Sequence, residues 1–314
     1  MRIGIIGVGG VGGHLAVRLA LAGHAVQAIA RGAHGRAIAD GALVLQTPAE
    51  TVEARLAGAA ARAEALGPVD LAVFAVKGQD LDGAMDAATA WMDGGAVALS
   101  FLNGVEAPER LVARFGAGRA LGGVARISAV IGAPGRVVQT TPGAEYVVGA
   151  LDPGDPAAAM LPALAEAFAG AGIPLAVTDD VRGALWRKFV SLTALAGITA
   201  AARATVGDIA AHPPLRALMR QLVEEAAAVA AAEGVTLAPD TPVDSERWLL
   251  ALAPTVRASM AHDLAAGKPL ELDWLNGAVV RIAARHGVPV PGHAAVTALL
   301  TPWRAGPPAS ATVG

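Results

Sequence analysis

The run Gly7-Val8-Gly9-Gly10-Val11-Gly12 spaces its glycines as Gly-x-Gly-x-x-Gly, directly after an apolar stretch at residues 2–7 and at the start of a helix-periodic stretch at residues 12–22. Between a strand and a helix each glycine has its own duty. The first permits a tight turn, the second lets backbone approach a pyrophosphate, and the third lets helix and strand pack closely, with amide N–H groups aimed at the phosphates. In a chain with 38 glycines the competing reading is an ordinary glycine-rich turn. The position of the run within residues 3–13, inside a β-α-β pattern, favours dinucleotide binding by Gly7, Val8, Gly9, Gly10, Val11 and Gly12.

The rest of the first half supports a Rossmann domain. Apolar runs at residues 2–7, 25–30, 71–76 and 97–101 alternate with helical patterns, the order of a parallel sheet with crossover helices. Gly23-His24 closes the first helix, and further strands are expected at 137–140, 146–148 and 174–177. After Thr178-Asp179-Asp180, whose side chains suit a helix cap, only helical periodicity remains. Helices are expected at about 181–202, 214–233, 243–250, 254–265, 270–286 and 292–300, with Arg285, His286 and Gly287 making a suitable helix end. A length of 314 residues also exceeds what one core usually serves. The expected fold class is therefore an α/β Rossmann domain at residues 1–178, with a doubly wound, mostly parallel sheet. An all-α domain at residues 179–314 follows it, with a loose tail from about residue 304.

Composition narrows the function classes. The hydrophobic fraction is 54%, but much of it is alanine. The most apolar stretch, residues 189–202, carries Ser191, Thr193, Gly197 and Thr199 and is shorter than the roughly 20 residues a bilayer span needs. It reads as a buried helix, so no membrane association is expected. The N-terminal apolar run is broken by glycine and followed by His14 and Arg18, unlike a secretory signal. Without cysteine there is no disulfide, thiolate metal site or cysteine nucleophile, and a cytoplasmic location is expected. A net charge of −3 without a basic run gives no footprint for nucleic acid, leaving a small molecule as the expected partner. His14, His24, His34, His212, His262, His286 and His293 show no zinc-type spacing, so no metal is expected. Ser128 and Ser191 lie in no Gly-x-Ser-x-Gly elbow, and Glu224-Glu225 reads as a solvated helix face.

The cofactor can be specified further. The second strand, residues 25–30, is followed by Arg31 where an NAD enzyme would carry Asp or Glu for the ribose 2′-hydroxyl. A guanidinium there can pair with a 2′-phosphate and stack on adenine, which favours NADP(H). The alternative is a solvated loop charge. Arg36, in a segment read as irregular, is a weaker second candidate. Lys77, after Ala75-Val76, and Asn103, in Leu99-Ser100-Phe101-Leu102-Asn103-Gly104, also stand at strand carboxyl ends, where doubly wound folds bind ligands. Taken alone, Lys77 reads as a solvated strand-end charge and Asn103-Gly104 as a simple turn.

In their order along nearly the whole chain, these features resemble the ketopantoate reductase (2-dehydropantoate 2-reductase) family, a branch of the 6-phosphogluconate-dehydrogenase-like reductases. The resemblance is carried by the glycine loop with Arg31, Val76-Lys77, Asn103-Gly104 and Gly122-Gly123-Val124. It continues through Leu185-Trp186-Arg187-Lys188, Ala258-Ser259-Met260 with Asp263, and Leu270-Glu271-Leu272-Asp273 leading to Asn276-Gly277. It implies NADPH-dependent reduction of a 2-oxo acid to a 2-hydroxy acid, with Lys188 as general acid. Glu271 would face Lys188 in the family's cleft, holding substrate or orienting the lysine. Ser259 would meet the substrate carboxylate, and Lys77 and Asn103 would sit by nicotinamide and substrate. Asp263, Asp273 and Asn276 are read as supporting residues, and a homodimer stays open. Lysine suits the acid's task because an ammonium can polarise a carbonyl and then protonate the alkoxide.

One departure bears on specificity. At positions matching Leu192, Ala196 and Val206 the family normally carries asparagines that hydrogen-bond ketopantoate. A pocket lined by these apolar residues would suit a 2-oxo acid with an apolar side chain. Two other readings remain: a reductase of the same superfamily acting on a different carbonyl or imine, and a non-catalytic NADP(H)-binding sensor.

Overall fold

Strand β1 (Arg2–Ile6) runs almost wholly buried into the glycine loop, and α1 (Gly10–Leu21) returns the chain to β2 (Ala25–Ile29) beside it. A computed structural model describes residues 1–308 of the chain. Two compact units emerge: Met1–Leu102 with Glu106–Val181, and Asn103–Val105 with the chain from Arg182 onward.

In the first unit the chain continues through α2 (Gly32–Asp40), β3 (Leu43–Gln46), β4 (Thr51–Ala54), β5 (Gly58–Ala60) and β6 (Leu71–Phe74). Next come α3 (Leu81–Ala87), α4 (Thr89–Asp93), β7 (Val97–Ser100), α5 (Ala107–Phe115), β8 (Ala120–Arg126) and β9 (Ala129–Ala133). It closes with β10 (Arg136–Gln139), β11 (Glu145–Ala150), α6 (Leu161–Gly170) and β12 (Leu175–Val177). The main sheet has the order β12-β11-β8-β7-β6-β1-β2-β5. Its pairings are parallel except β8 with β11. Its central strands read as apolar runs because both faces are buried, as the adjacent pairs Ile5 and Ile6 on β1 and Val73 and Phe74 on β6 illustrate. After β5 the order reverses across β1, so the carboxyl ends of β1 and β6 form the switch point at which such sheets bind ligands.

The strand expected at 137–140 belongs instead to a second sheet, β4-β3-β10-β9. That sheet rests on α1 through glycines. A Cβ at Gly10 would lie 2.0 Å from the Ala129 carbonyl oxygen, and one at Gly13 would lie 2.4 Å from Val137. Strand β8 was not expected, because Gly122-Gly123 reads as a break. Both glycines are required by packing: a Cβ would come within 2.9 Å of Val181 and 2.7 Å of Phe101 respectively. Arg36, read as lying in an irregular segment, is on α2.

In the second unit every secondary-structure element among the described residues is a helix. The unit comprises α7 (Val181–Ala201), whose first residue closes the first unit, then α8 (Val206–Ala211), α9 (Pro213–Ala232) and α10 (Thr241–Ala251). It ends with α11 (Ser259–Ala265), α12 (Asn276–His286) and α13 (Pro291–Leu300). Helix α8 was not anticipated; the Thr205 and Asp208 side chains form a capping box at its start. The helix expected at 254–265 begins only at Ser259. Before it, the carbonyls of Pro254 and Val256 accept from Gly207 and Val206, which ties that segment to α8. The helix expected at 270–286 is broken: Leu272–Trp274 form a 3-10 turn, and Leu275 takes a non-helical φ of −111° and ψ of −100° before α12 starts. Gly287 closes α12 in the left-handed conformation, as its sequence position suggested.

Glu225 corrects the reading of Glu224-Glu225 as a solvated face. It is buried, and its carboxylate accepts from the N–H groups of Gly292 at 2.8 Å and His293 at 2.9 Å, in the first turn of α13. A carboxylate there satisfies two orphan donors and complements the helix dipole. The Gly306 N–H donates to the Trp303 carbonyl in a turn, the Arg304 carbonyl accepts from Leu270, and Gly306 is buried. The remainder of the expected tail, 309–314, lies outside the described residues. Among the described residues no helix is long and apolar enough to cross a membrane.

Two stability predictions follow from this packing. Gly10→Ala forces a methyl onto a backbone carbonyl and should cost about 1–3 kcal/mol. Gly83→Ala, in mid-helix α3 with open space around it, should stabilise by about 0.5–1 kcal/mol; urea unfolding of both variants checks the opposite signs. The second concerns His14, whose Nδ1 is hydrogen-bonded to the Tyr146 hydroxyl at 3.0 Å. Burial, reinforced by the nearby charge of Arg18, lowers the His14 pKa from 6.5 to about 4. The unfolded chain therefore binds this proton first as pH falls. The stability His14 contributes as a neutral group is complete above pH 6.5 and is lost progressively toward about pH 4, up to roughly 3 kcal/mol. His14→Gln should show a correspondingly flatter acid limb in unfolding free energy measured across that range.

Candidate active site

In the first unit the glycine loop separates the duties expected of it. Gly7 has φ +88°, and a Cβ there would lie 2.5 Å from Val76 and 3.0 Å from the Ala75 backbone. Its turn thus leans on the strand end that leads to Lys77. A Cβ at Gly12 would meet the Gly7 carbonyl oxygen at 2.1 Å, the close helix-to-strand approach expected of the third glycine. Around Gly9 nothing lies within 4 Å of a Cβ position, and Gly9 is the N-cap of α1. The second glycine therefore borders open space at the positive end of a helix, a cradle that a side chain would fill and that fits a pyrophosphate.

Arg31 caps α2 just beyond β2, with its side chain 72% exposed. Its guanidinium donates to Asp80 Oδ1 at 3.0 Å. Asp80 ends the 3-10 turn Gly78–Asp80 that follows Lys77, so Arg31 and the Lys77 turn meet at the carboxyl edge of the sheet. Sequence reasoning had missed Asp80, because an ion pair across 49 residues leaves no local spacing. It also missed His34, whose ring lies between the Val8 carbonyl and the Gly135 N–H. A lone histidine without metal spacing gave no reason to single it out.

In the second unit Lys188 is half-buried on α7, and its Nζ donates to Asn103 Oδ1 at 2.8 Å. The two residues are 85 positions apart, and Asn103 belongs by its packing to this unit. Gly104 makes that placement possible. Its φ is +101°, and a Cβ would lie 3.1 Å from the Trp274 carbonyl oxygen. The Asn103-Gly104 segment thereby lies along the turn that begins directly after Glu271. Glu271 is itself 5% exposed, and its carbonyl accepts from the N–H groups of Trp274 and Leu275, both at 3.0 Å. Ser259 is exposed at the first position of α11.

The pairing of Lys188 with an amide has a chemical meaning. An ammonium has three donors and the amide oxygen takes one, orienting the group without neutralising its charge. A carboxylate in that place would stabilise the charged form and hold the proton more tightly. Of the three apolar residues at the family's asparagine positions, Ala196 and Val206 are 1% and 2% exposed and lie in the helical core. Leu192 alone is only partly buried, so the expected pocket lining reduces to that residue.

Comparison with known proteins identifies the family. Residues 3–153 match the family described as ketopantoate reductase PanE/ApbA, and residues 180–303 match its C-terminal domain. A 2-dehydropantoate 2-reductase of Caulobacter vibrioides is 34% identical over 303 residues, covering 95% of this chain and 97% of the relative. The crystal structure of a PanE/ApbA family ketopantoate reductase from Ralstonia eutropha JMP134 superimposes with a TM-score of 0.87 at 33% identity, covering 97% of this chain and 98% of that one. D-mandelate dehydrogenase, solved with NADH and anilino(oxo)acetate, shares the fold with a TM-score of 0.87 at 23% identity, covering 97% and 98% of the two chains. With both halves matched and the likeness running end to end, this chain belongs to the ketopantoate reductase family and is an oxidoreductase.

Proposed function

We propose that the protein reduces a 2-oxo acid to the 2-hydroxy acid with NADPH, in the manner that the name of its 2-dehydropantoate 2-reductase relatives describes. The observation that carries this reading is the hydrogen bond from Lys188 Nζ to Asn103 Oδ1 at 2.8 Å. Reduction of a carbonyl needs a hydride at carbon and a proton at oxygen. Bound NADPH would supply the hydride. Lys188 polarises the carbonyl oxygen, stabilises the charge that develops there and gives it the proton, a contribution of about 10²–10⁴ in rate.

Asn103 holds the ammonium in place for that transfer. Glu271 holds the substrate or orients Lys188; a carboxylate this buried is retained only where it is compensated, which suits a site group. Ser259 meets the substrate carboxylate, and Lys77 stands by nicotinamide and substrate. The loop Gly7 to Gly12 holds the pyrophosphate on the start of α1. Arg31 pairs with the 2′-phosphate, which favours NADP(H) over NAD(H). Asp80 shares the Arg31 guanidinium at 3.0 Å, so it opposes that pairing.

A second substrate reading rests on Leu192, which is apolar and keeps accessible surface on α7 one turn after Lys188. A side chain that cannot hydrogen-bond a substrate hydroxyl favours a 2-oxo acid with an apolar side chain over ketopantoate. NADPH consumption measured with ketopantoate and with aliphatic and aromatic 2-oxo acids separates the two. A higher kcat/KM for ketopantoate would overturn the Leu192 reading, and turnover of none would overturn the reductase itself.

Lys188→Ala should lower kcat by about 10²–10⁴ while NADPH still binds, as read by fluorescence titration; undiminished turnover would remove Lys188 from its role. For the cofactor, Arg31→Ala should raise the NADPH Kd by roughly tenfold or more and change NADH little. Asp80→Asn should shift NADPH affinity the opposite way. Equal effects of Arg31→Ala on both dinucleotides would overturn the 2′-phosphate assignment.

A further inference from the structure

His34 sits in the first turn of α2, three residues after Arg31, and both of its ring nitrogens are engaged. The backbone N–H of Gly135 donates to Nδ1 at 3.0 Å, so Nδ1 is the acceptor. The ring proton then belongs on Nε2, which lies 2.7 Å from the carbonyl oxygen of Val8 and donates to it. These neighbours specify one neutral tautomer.

Val8 lies between the first two glycines of the loop, and its carbonyl shares a planar trans peptide with the N–H of Gly9. Fixing the carbonyl on His34 turns that N–H to the opposite side. Control is needed at this peptide in particular. Glycine on either side of Val8 leaves the backbone free to rotate, and around Gly9 nothing lies within 4 Å of a Cβ position to restrain it. The ring is itself anchored. Gly135 occupies the turn between β9 and β10 with φ +73°, and a Cβ there would lie 3.2 Å from Ala37 on α2. The same hairpin touches the loop at its other end, where the Ala129 carbonyl sits against Gly10. The hairpin and α2 thus bracket the loop, and His34 is the polar link between them.

We propose that His34 is a positioning residue for the dinucleotide: by holding the Val8 carbonyl and being held by Gly135, it locks the Val8–Gly9 peptide with the Gly9 N–H presented for the pyrophosphate. This rests on the reading of the glycine loop as the cofactor site and is independent of the Arg31 assignment, since NADPH and NADH share the pyrophosphate.

The test uses two amide variants of the full chain. In His34→Asn the amide stands near the place of Nδ1 and can accept from Gly135, but it falls short of Val8. In His34→Gln the amide reaches the place of Nε2 and can donate to Val8. Calorimetric titration with NADPH and with NADH, thermal melts without cofactor, and steady-state kinetics are compared. His34→Asn should raise the Kd of both dinucleotides about tenfold, with the effect falling on KM for NADPH and not on kcat. His34→Gln should recover most of the loss. Unchanged Kd in His34→Asn would overturn the proposal. So would a Kd loss that follows a fall in cofactor-free Tm and is not recovered by His34→Gln. Failure of wild-type protein to bind either dinucleotide would overturn the loop reading along with it, whereas failure of the Arg31 assignment alone would leave the His34 effect on both dinucleotides intact.

Discussion

Helix α1 can start where it does only because no side chain stands at three points of its first turns. Gly12 lets the helix close onto the Gly7 carbonyl, while Gly10 and Gly13 let the small sheet close onto the helix from another side. Each hypothetical Cβ would come within 2.4 Å of its neighbour, well inside contact distance, so the three approaches admit no substitute without movement. The remaining positions of the loop are then set by exclusion. Gly9, which touches neither layer, borders the space in which a ligand can meet the helix end. The same close packing that builds the domain therefore leaves the space beside Gly9 open at the switch point of the sheet.

The helical unit is held by a different device, a buried polar chain. Asn276 donates to the Thr193 carbonyl on α7 at 3.1 Å and also lies 3.0 Å from His293 Nδ1. The other ring nitrogen of His293 donates to the Leu222 carbonyl at 2.9 Å on α9, and Glu225 on α9 caps the helix that bears His293. Burial pushes the His293 pKa down, which keeps the ring neutral and able to accept from Asn276. Gly197 makes room for this amide, since a Cβ there would lie 2.4 Å from Asn276 Nδ2. The Oδ1 of Asn276 has no hydrogen-bond partner, an omission that costs about 1–3 kcal/mol. It is accepted on a helix that begins five residues after Glu271 and is tied to the helix bearing Lys188.

How far all this could be read from the chain depended on the range of the forces involved. Strands β1, β2, β6 and β7 announce themselves because burial on both faces makes them predominantly apolar, with Gln27 and Ser100 as polar exceptions in β2 and β7. The glycine loop is legible because its spacing is local. Strand β8 hid behind Gly122-Gly123, whose meaning is set by Phe101 and Val181 packed against them. Glu225 read as solvated because its partners lie 67 and 68 residues away on α13. The break before α12 was invisible because Leu275 has ordinary helix propensity and leaves the helix for tertiary reasons. In the site, Lys188 and Asn103 were reached through resemblance to a family, for nothing in either local sequence signals the other. His34 and Asp80 were missed for the same reason, since each acts through a contact that only the folded chain creates.

The Lys188–Asn103 pair shows why that distinction matters for chemistry. A lysine read from sequence is a charge of unknown surroundings, and on a helix its default is to be solvated. Here the folded chain brings an amide oxygen to 2.8 Å from Nζ. The Gly104 conformation in turn keeps that amide along the turn after Glu271. A neutral acceptor fixes the direction of an ammonium without itself cancelling the charge. Fixed geometry of this kind is what the proposed role of proton donor to a carbonyl asks of the lysine.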